Sequence, residues 1–279
     1  MGRGDVTGAG CPKPSATIGA VNPEGPNTPT GCEPLASPAE RLPCLRAVLF
    51  DLDGTLIDTI ELIRVSFRYA TEKVLGEALP DELTMANVGQ PLRTQFEDLA
   101  PGRADELTKV YREFNQAHHD QLAKAYPGTP EVLQTIADHL VPMGIVTSKG
   151  TEGARRGLEL FGLTDFFEVI VSADDVPKHK PDPFPLRFAA SAMGVPLEYC
   201  VYIGDSPHDM QAAVSGGAIA VAALWGAFST DDVLAPGPPF ALRDIGELPA
   251  LLFGDAGSYG QGIGTGGRAD AGSPQARRT

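Results

Sequence analysis

Asp51 and Asp53 stand two residues apart where the apolar run Ala47-Val48-Leu49-Phe50 ends. Two carboxylates so close repel each other, and a bound cation is the simplest thing to offset that. Gly54 lets the chain turn and Thr55 can cap the next segment, although an Asp-rich turn after an ordinary strand reads as well from this stretch alone. Thr147-Ser148-Lys149 comes directly after a second apolar run, Met143 to Val146. A hydroxyl there can bond a phosphate oxygen beside exposed backbone N–H groups, or cap a helix. In Lys178-His179-Lys180-Pro181-Asp182-Pro183, two prolines fix the backbone and aim a lysine. Such an ammonium can stabilise charge in a transition state, or belong to a solvated basic loop. Asp205 and Asp209 come after the run Val201-Tyr202-Ile203-Gly204. Their hard oxygens suit Mg²⁺, while Asp209 alone suits equally a helix start.

The elements that must position these groups are legible as alternating runs. Arg46 to Phe50 has the length and apolar content of a buried parallel strand. Further strands are expected over Met143 to Val146, Phe167 to Val171, Cys200 to Ile203 and Ala218 to Ala223. Helices are expected over Thr129 to His139 (Thr129 as N-cap, Pro130 first), Glu152 to Phe161, Pro185 to Met193 and Asp209 to Ser215, with a last strand-helix pair within Phe240 to Leu252. This alternation means an α/β fold, a doubly wound and mostly parallel Rossmann-like sheet, which takes ligands at the carboxyl ends of its strands. Between Asp58 and Tyr126 the pattern turns helical. Ile60, Ile63, Phe67, Ala70 and Val74 form one stripe, Leu92, Phe96 and Leu99 a second, and Leu107, Val110, Tyr111 and Phe114 a third. So long a connection reads as a small helical domain, 58–126, inserted into a core of 45–57 and 127–253. The segments 1–44 and 254–279 are rich in Gly, Pro and polar residues and read as disordered tails.

Composition excludes several functions. The 279 residues carry a formal charge of −14, which argues against a nucleic-acid backbone or an anionic membrane as partner. No apolar run is long enough to span a bilayer, and the N-terminus lacks the apolar core of a secretion signal. Cys11, Cys32, Cys44 and Cys200 have no zinc-ligand spacing and read as reduced thiols of a cytoplasmic protein.

Asp51-Leu52-Asp53-Gly54-Thr55-Leu56 closely resembles the first motif of the haloacid dehalogenase-like hydrolases, D-x-D-G-T-L. Thr147 falls at the second motif, Lys180-Pro181-Asp182-Pro183 matches the third, and Gly204-Asp205 through Asp209 fits the fourth, G-D-x-x-x-D. The resemblance covers about Leu45 to Leu252. It implies a phosphatase with a helical cap, akin to phosphoglycolate phosphatases, with pyrophosphatases and sugar phosphatases or phosphoglucomutases as alternatives. Asp53 is absent in the dehalogenases of this superfamily, so phosphoryl chemistry is favoured. By the same resemblance Asp51 is the nucleophile and Asp53 the general acid and base. Thr147, supported by Ser148, and Lys180, with Lys178 as fallback, hold the phosphoryl oxygens. Mg²⁺ sits on Asp51, the Asp53 backbone carbonyl and Asp205, while Asp209 orients Lys180 or a metal-bound water.

In the cap, Arg93 on the loop Gly89 to Arg93 is expected to pair with a substrate anion, or to be solvated. Tyr111 to Asp120 and Asp174 to Pro183 look closest to the pyrophosphatase branch. There His118 and His119 are candidates to face a second phosphate, or to be exposed cap positions. The expected partner is a small anionic phosphorylated substrate, with no nucleic acid and no membrane, and the protein a monomer or homodimer. A receiver-type phosphoacceptor module would share the Asp, Mg²⁺, Thr and Lys, but it has neither the helical insertion nor an acid at the Asp53 position.

Overall fold

The computed structural model describes residues 37–254. The segments 1–36 and 255–279, expected as disordered tails, lie outside the described residues, as do Cys11 and Cys32. Among the described residues eight strands are formed: β1 (Ala47–Phe50), β2 (Ile57–Asp58), β3 (Lys124–Ala125), β4 (Met143–Val146), β5 (Val169–Val171), β6 (Cys200–Gly204), β7 (Ile219–Ala223) and β8 (Phe240–Leu242). Six of them make one parallel sheet in the order β5-β4-β1-β6-β7-β8. Because both faces of a parallel sheet are covered by helices, β1 is apolar throughout and every residue of it is buried. Val48 and Phe50 face one layer, with Leu133, Ile136, Leu158 and Leu248. Ala47 and Leu49 face the other, with Leu186, Ala189, Met210 and Ala213. The strand order reverses at β1, with β4 on one side and β6 on the other, and a crevice opens at such a reversal.

Register then brings the motifs together. Phe50 pairs with Ile145 of β4 and with Ile203 of β6. Asp51 therefore leaves the sheet beside Gly204, and its N–H donates to the Ile203 carbonyl at 2.8 Å. Thr147 comes directly after β4, and Asp205 directly after β6. Gly54 makes the turn with φ of 84°, and a Cβ there would overlap the Asp205 carboxylate.

The cap consists of helices Ile60–Leu75, Leu92–Leu99 and Ala104–Leu122, with a short turn of helix at Asp81–Thr84. Its core is built around Phe67, Phe96 and Tyr111, whose ring centroids lie 5.0 to 5.9 Å apart. The three expected stripes thus converge on one small cluster. The connection is not wholly helical, however. β2 and β3 pair antiparallel, Ile57 with Ala125 and Asp58 with Lys124, where the chain leaves and re-enters the sheet domain.

Other boundaries differ from expectation for local reasons. Ser37 caps the helix Pro38–Arg41 in a reciprocal box with Glu40, and Arg41 donates to the carbonyls of Glu198 and Gly217 at 3.1 and 2.7 Å. Residues 37–44, expected in the tail, are therefore anchored to the sheet domain. Gly128, not Thr129, is the N-cap of helix Thr129–Asp138, and the Thr129 hydroxyl donates instead to the Leu56 carbonyl at 3.3 Å. Helix Pro207–Gly216 starts two residues before Asp209, because Ser206 and Asp209 form a second capping box. Among the described residues no helix is long and apolar enough to cross a membrane.

Candidate active site

Lys180 is the hub of the site. Its Nζ is buried and donates to Asp209 Oδ1 at 2.6 Å, Asp51 Oδ1 at 2.9 Å and the Tyr202 hydroxyl at 3.0 Å, with the Val146 carbonyl also near, at 3.3 Å. Burial alone would lower the lysine's pKa, but the Asp209 and Asp51 charges outweigh it and hold the pKa above its usual range. The fallback, Lys178, lies outside: it is exposed and pairs with Asp182 at 3.1 Å.

Asp209 is fully committed. One oxygen accepts from Lys180 and from Tyr202 at 2.8 Å, and the other accepts from the Ser206 N–H at 3.0 Å and the Ser206 hydroxyl. Burial would raise its pKa, but Lys180 and these hydroxyl bonds keep it below the ordinary carboxylate range. Asp51 differs. Burial dominates there, Lys180 offsets it only in part, and Asp209 and Asp53 add repulsion, so its pKa is raised to about 7. Asp205 is raised well above the ordinary range, by burial first and then by the charges of Asp209 and Asp51. Its oxygens accept from Thr55 Oγ1 at 3.2 Å and the Ala227 N–H at 3.1 Å, both neutral donors.

Oxygens of Asp51, Asp205 and Asp209 all lie within 4.8 Å of one another. Among the described residues three buried carboxylates cluster here with one buried ammonium, which reaches Asp51 and Asp209, and Asp209 has no oxygen to spare. A cation between Asp51 and Asp205 would relieve the imbalance, and an all-oxygen donor set suits a hard divalent ion. The acidic cluster thus fits a metal ion.

That fit has a measurable consequence for the metal-free protein. Folded Asp51 keeps its proton up to about pH 7, whereas in the unfolded chain it ionises near ~3.9. Between those values the folded state binds more protons, so stability falls as pH rises. Asp205, shifted the same way, adds to the effect, whereas Asp209 is shifted downward and acts only below this window. In chelator, Tm should drop between about pH 5 and about pH 8, and added Mg²⁺ should raise it more at the higher pH. An equal rise at both pH values in scanning fluorimetry would refute this account.

Asp53 sits at the cavity wall. Its Oδ1 accepts from Thr59 Oγ1 at 2.6 Å and Lys149 Nζ at 2.8 Å. The Thr147 hydroxyl, also on the wall, accepts the Lys149 N–H at 3.1 Å, while Ser148 donates to the Gly89 carbonyl and so ties the core to the cap loop. Further ties run from Arg156 to both oxygens of Asp120 at 3.0 Å and from Gln116 to Glu152 at 2.6 Å. Together core and cap enclose a cavity of about 510 Å³ that reaches Asp51, Asp53, Thr147 and Asp205.

The cap candidates separate. Arg93 reaches the cavity, but its guanidinium is exposed and bound to Asp105 at 2.7 Å. His118 stacks on Phe114 at 4.0 Å, donates from Nδ1 to the Phe114 carbonyl at 2.8 Å and does not line the cavity. His119, one residue further round the helix, does line it; it is buried, its Nε2 has no partner among the described residues, and burial lowers its pKa. Reasoning from sequence missed Lys149, Thr59 and Tyr202. Lys149 adjoins the recognised Thr147 and Ser148, a signal that was available; Tyr202 reads only as one more strand residue.

Residues 48–223 match the family of haloacid dehalogenase-like hydrolases. The chain is 38% identical to the pyrophosphatase PpaX of Halalkalibacterium halodurans over 73% of this chain and 95% of that protein. It is 34% identical to the pyrophosphatase PpaX of Anoxybacillus flavithermus over 75% and 97%. Among solved structures it is similar to a hydrolase of the haloacid dehalogenase-like family from Streptococcus pneumoniae, with a TM-score of 0.66, 27% identity and coverage of 74% of this chain and 97% of that one.

Proposed function

The chain belongs to the haloacid dehalogenase-like hydrolase family, as a member of its phosphatase branch, and we propose that it hydrolyses inorganic pyrophosphate through an aspartyl-phosphate on Asp51. The observation that carries the chemistry is the pairing of a buried, Lys180-held Asp51 with an Asp53 on the cavity wall. The choice of pyrophosphate, the alternative expected from sequence, over phosphoglycolate is supported by the near full-length relatives named as pyrophosphatases.

In this reading an Asp51 oxygen attacks phosphorus and the bond from phosphorus to the leaving oxygen breaks. Asp53 protonates that oxygen, then takes a proton from the water that attacks the aspartyl-phosphate, releasing phosphate and restoring the Asp51 carboxylate. Lys149 and Thr59 both occupy Asp53 Oδ1, so the proton exchange is assigned to Oδ2. Thr147 and Lys180 hold the transferring phosphoryl oxygens. Asp209 and Tyr202 keep the Lys180 ammonium at Asp51. Asp51, Asp205 and the Asp53 backbone carbonyl would hold Mg²⁺, which supplies the charge that lets an anionic nucleophile approach an anionic phosphate. The cap excludes water while the reaction proceeds.

The test is phosphate release from pyrophosphate, phosphoglycolate and a sugar phosphate, with Mg²⁺ and with chelator. Pyrophosphate should give the highest kcat/KM, and chelator should abolish turnover. Higher kcat/KM on either ester would reject the substrate assignment; full activity in excess chelator would reject the metal.

A further inference from the structure

We propose that Arg112 of the cap and Lys149 of the core form a two-cation receptor for the second anionic group of the substrate, the one that departs with the leaving oxygen. The inference rests on the phosphatase reading above, because it takes Asp53 to mark the leaving-group side of the site.

Lys149 lies on that side. Its ammonium is 2.8 Å from Asp53 Oδ1, whereas Lys180 serves the nucleophile, Asp51. The stem of Lys149 reaches this position by crossing Gly153, where a Cβ would come within 2.9 Å of Lys149 Cε and 3.3 Å of Cδ and Cγ. A larger residue at 153 would push the ammonium aside, so the bare helix surface there is part of the device. Arg112 comes down from the opposite wall. Its Nη2 lies 3.7 Å from where a Cβ of Gly150, the residue after Lys149, would stand. Arg112 and Lys149 both line the active-site cavity.

What separates Arg112 from the other two arginines on the cavity wall, Arg93 and Arg156, is that its charge is not spent, although like Arg93 it is exposed. Arg93 is bound to Asp105 and Arg156 to both oxygens of Asp120, but Arg112 has no ion-pair partner among the described residues. Asp174 Oδ2 approaches the same Gly150 position, at 3.1 Å, and accepts the Thr151 N–H at 2.8 Å, while Glu152 accepts from Gln116; among the described residues neither forms an ion pair with Arg112. The unpaired Arg112 guanidinium on the cap wall and the Lys149 ammonium, shared with Asp53, present a planar fork and a point charge to one anion. Since one cation belongs to the cap and the other to the core, an anion between them also holds the cap closed.

The experiment measures kcat/KM on pyrophosphate, phosphoglycolate and 4-nitrophenyl phosphate for the wild type, Arg112→Met, Arg112→Lys and Lys149→Met. The aryl ester carries no second anion. Arg112→Met should lower kcat/KM on the preferred two-anion substrate by about 10- to 100-fold, chiefly through KM. Its loss on the aryl ester should be smaller, so the ratio between the two falls. Arg112→Lys should restore part of that ratio, because it returns the charge without the fork. Lys149→Met should hurt both substrates, since it also touches Asp53, and should again lower the ratio. An unchanged ratio in Arg112→Met overturns the receptor, as does a wild type with no preference for two-anion substrates over the aryl ester. If phosphoglycolate proves the better substrate, the pyrophosphate assignment fails, while a ratio that still collapses in Arg112→Met upholds the receptor.

Discussion

Asp51→Asn should lower turnover by about 10⁴-fold or more, the scale of losing a covalent nucleophile. Acid quenching with labelled substrate should trap a phosphoenzyme in the wild type and none in the variant. The same substitution should leave Tm level or raise it in the absence of metal, and this separates a chemical role from a structural one. Asp51, Asp205 and Asp209 crowd three buried carboxylates around one ammonium, and burial already pushes Asp51 up to about 7. A neutral amide of the same shape removes one repelling charge, and Lys180 keeps Asp209 at 2.6 Å. A variant that lost activity only because it had lost its fold, with Tm falling by several degrees, would contradict this account. So would an Asp51→Asn protein that still formed an acid-labile phosphoenzyme.

Much of this site is legible in the sequence, because each motif consists of an apolar run that stops at a polar residue. Such a run is a buried parallel strand, and its end is where a doubly wound sheet places ligands. That places Asp51 and Asp205 at a ligand-bearing edge, whereas Thr147, as readily a helix cap, is singled out by the resemblance alone. Pairings made only in three dimensions are not legible. β2 and β3 are two residues each, too short to carry a period, and they exist because the chain must leave and re-enter the sheet domain at one place. Tyr202 alternates correctly for a strand, and nothing in the sequence says that its hydroxyl will meet Lys180 and Asp209. His118 and His119 look like a pair, but neighbours on a helix point about 100° apart, so one stacks on Phe114 and the other faces the cavity. Arg93 and Arg112 are equivalent in the sequence. Which of them is free to meet a substrate depends on Asp105, which lies across a turn of the cap and takes the charge of Arg93.

Lys180→Met should be strongly destabilising. The lysine is 3% exposed and, among the described residues, supplies the one cation that touches both Asp51 and Asp209. Methionine keeps the apolar stem and removes the charge, so the loss can be read as electrostatic. Two carboxylates would then lie buried side by side, with only neutral donors around them. Removing one partner of a buried ion pair costs about 3–5 kcal/mol. For a chain of this size each kcal/mol moves Tm by about 2–4 °C, so a drop of roughly 6–20 °C is expected at neutral pH. The sign with pH comes from the same groups. Without Lys180 burial raises both carboxylates, opposed at Asp209 only by the Ser206 and Tyr202 hydroxyls, so they take up protons as pH falls and the deficit should shrink toward about pH 5. Added Mg²⁺ should recover part of the loss through Asp51 and Asp205, but not the part that belongs to Asp209, whose oxygens point to Lys180, Tyr202 and Ser206. Turnover should stay low even where stability is recovered, because no ammonium is left to hold the transferring oxygens. A variant with wild-type Tm in chelator at neutral pH would mean that the three carboxylates are already neutral there, and that Lys180 is not what holds the site together.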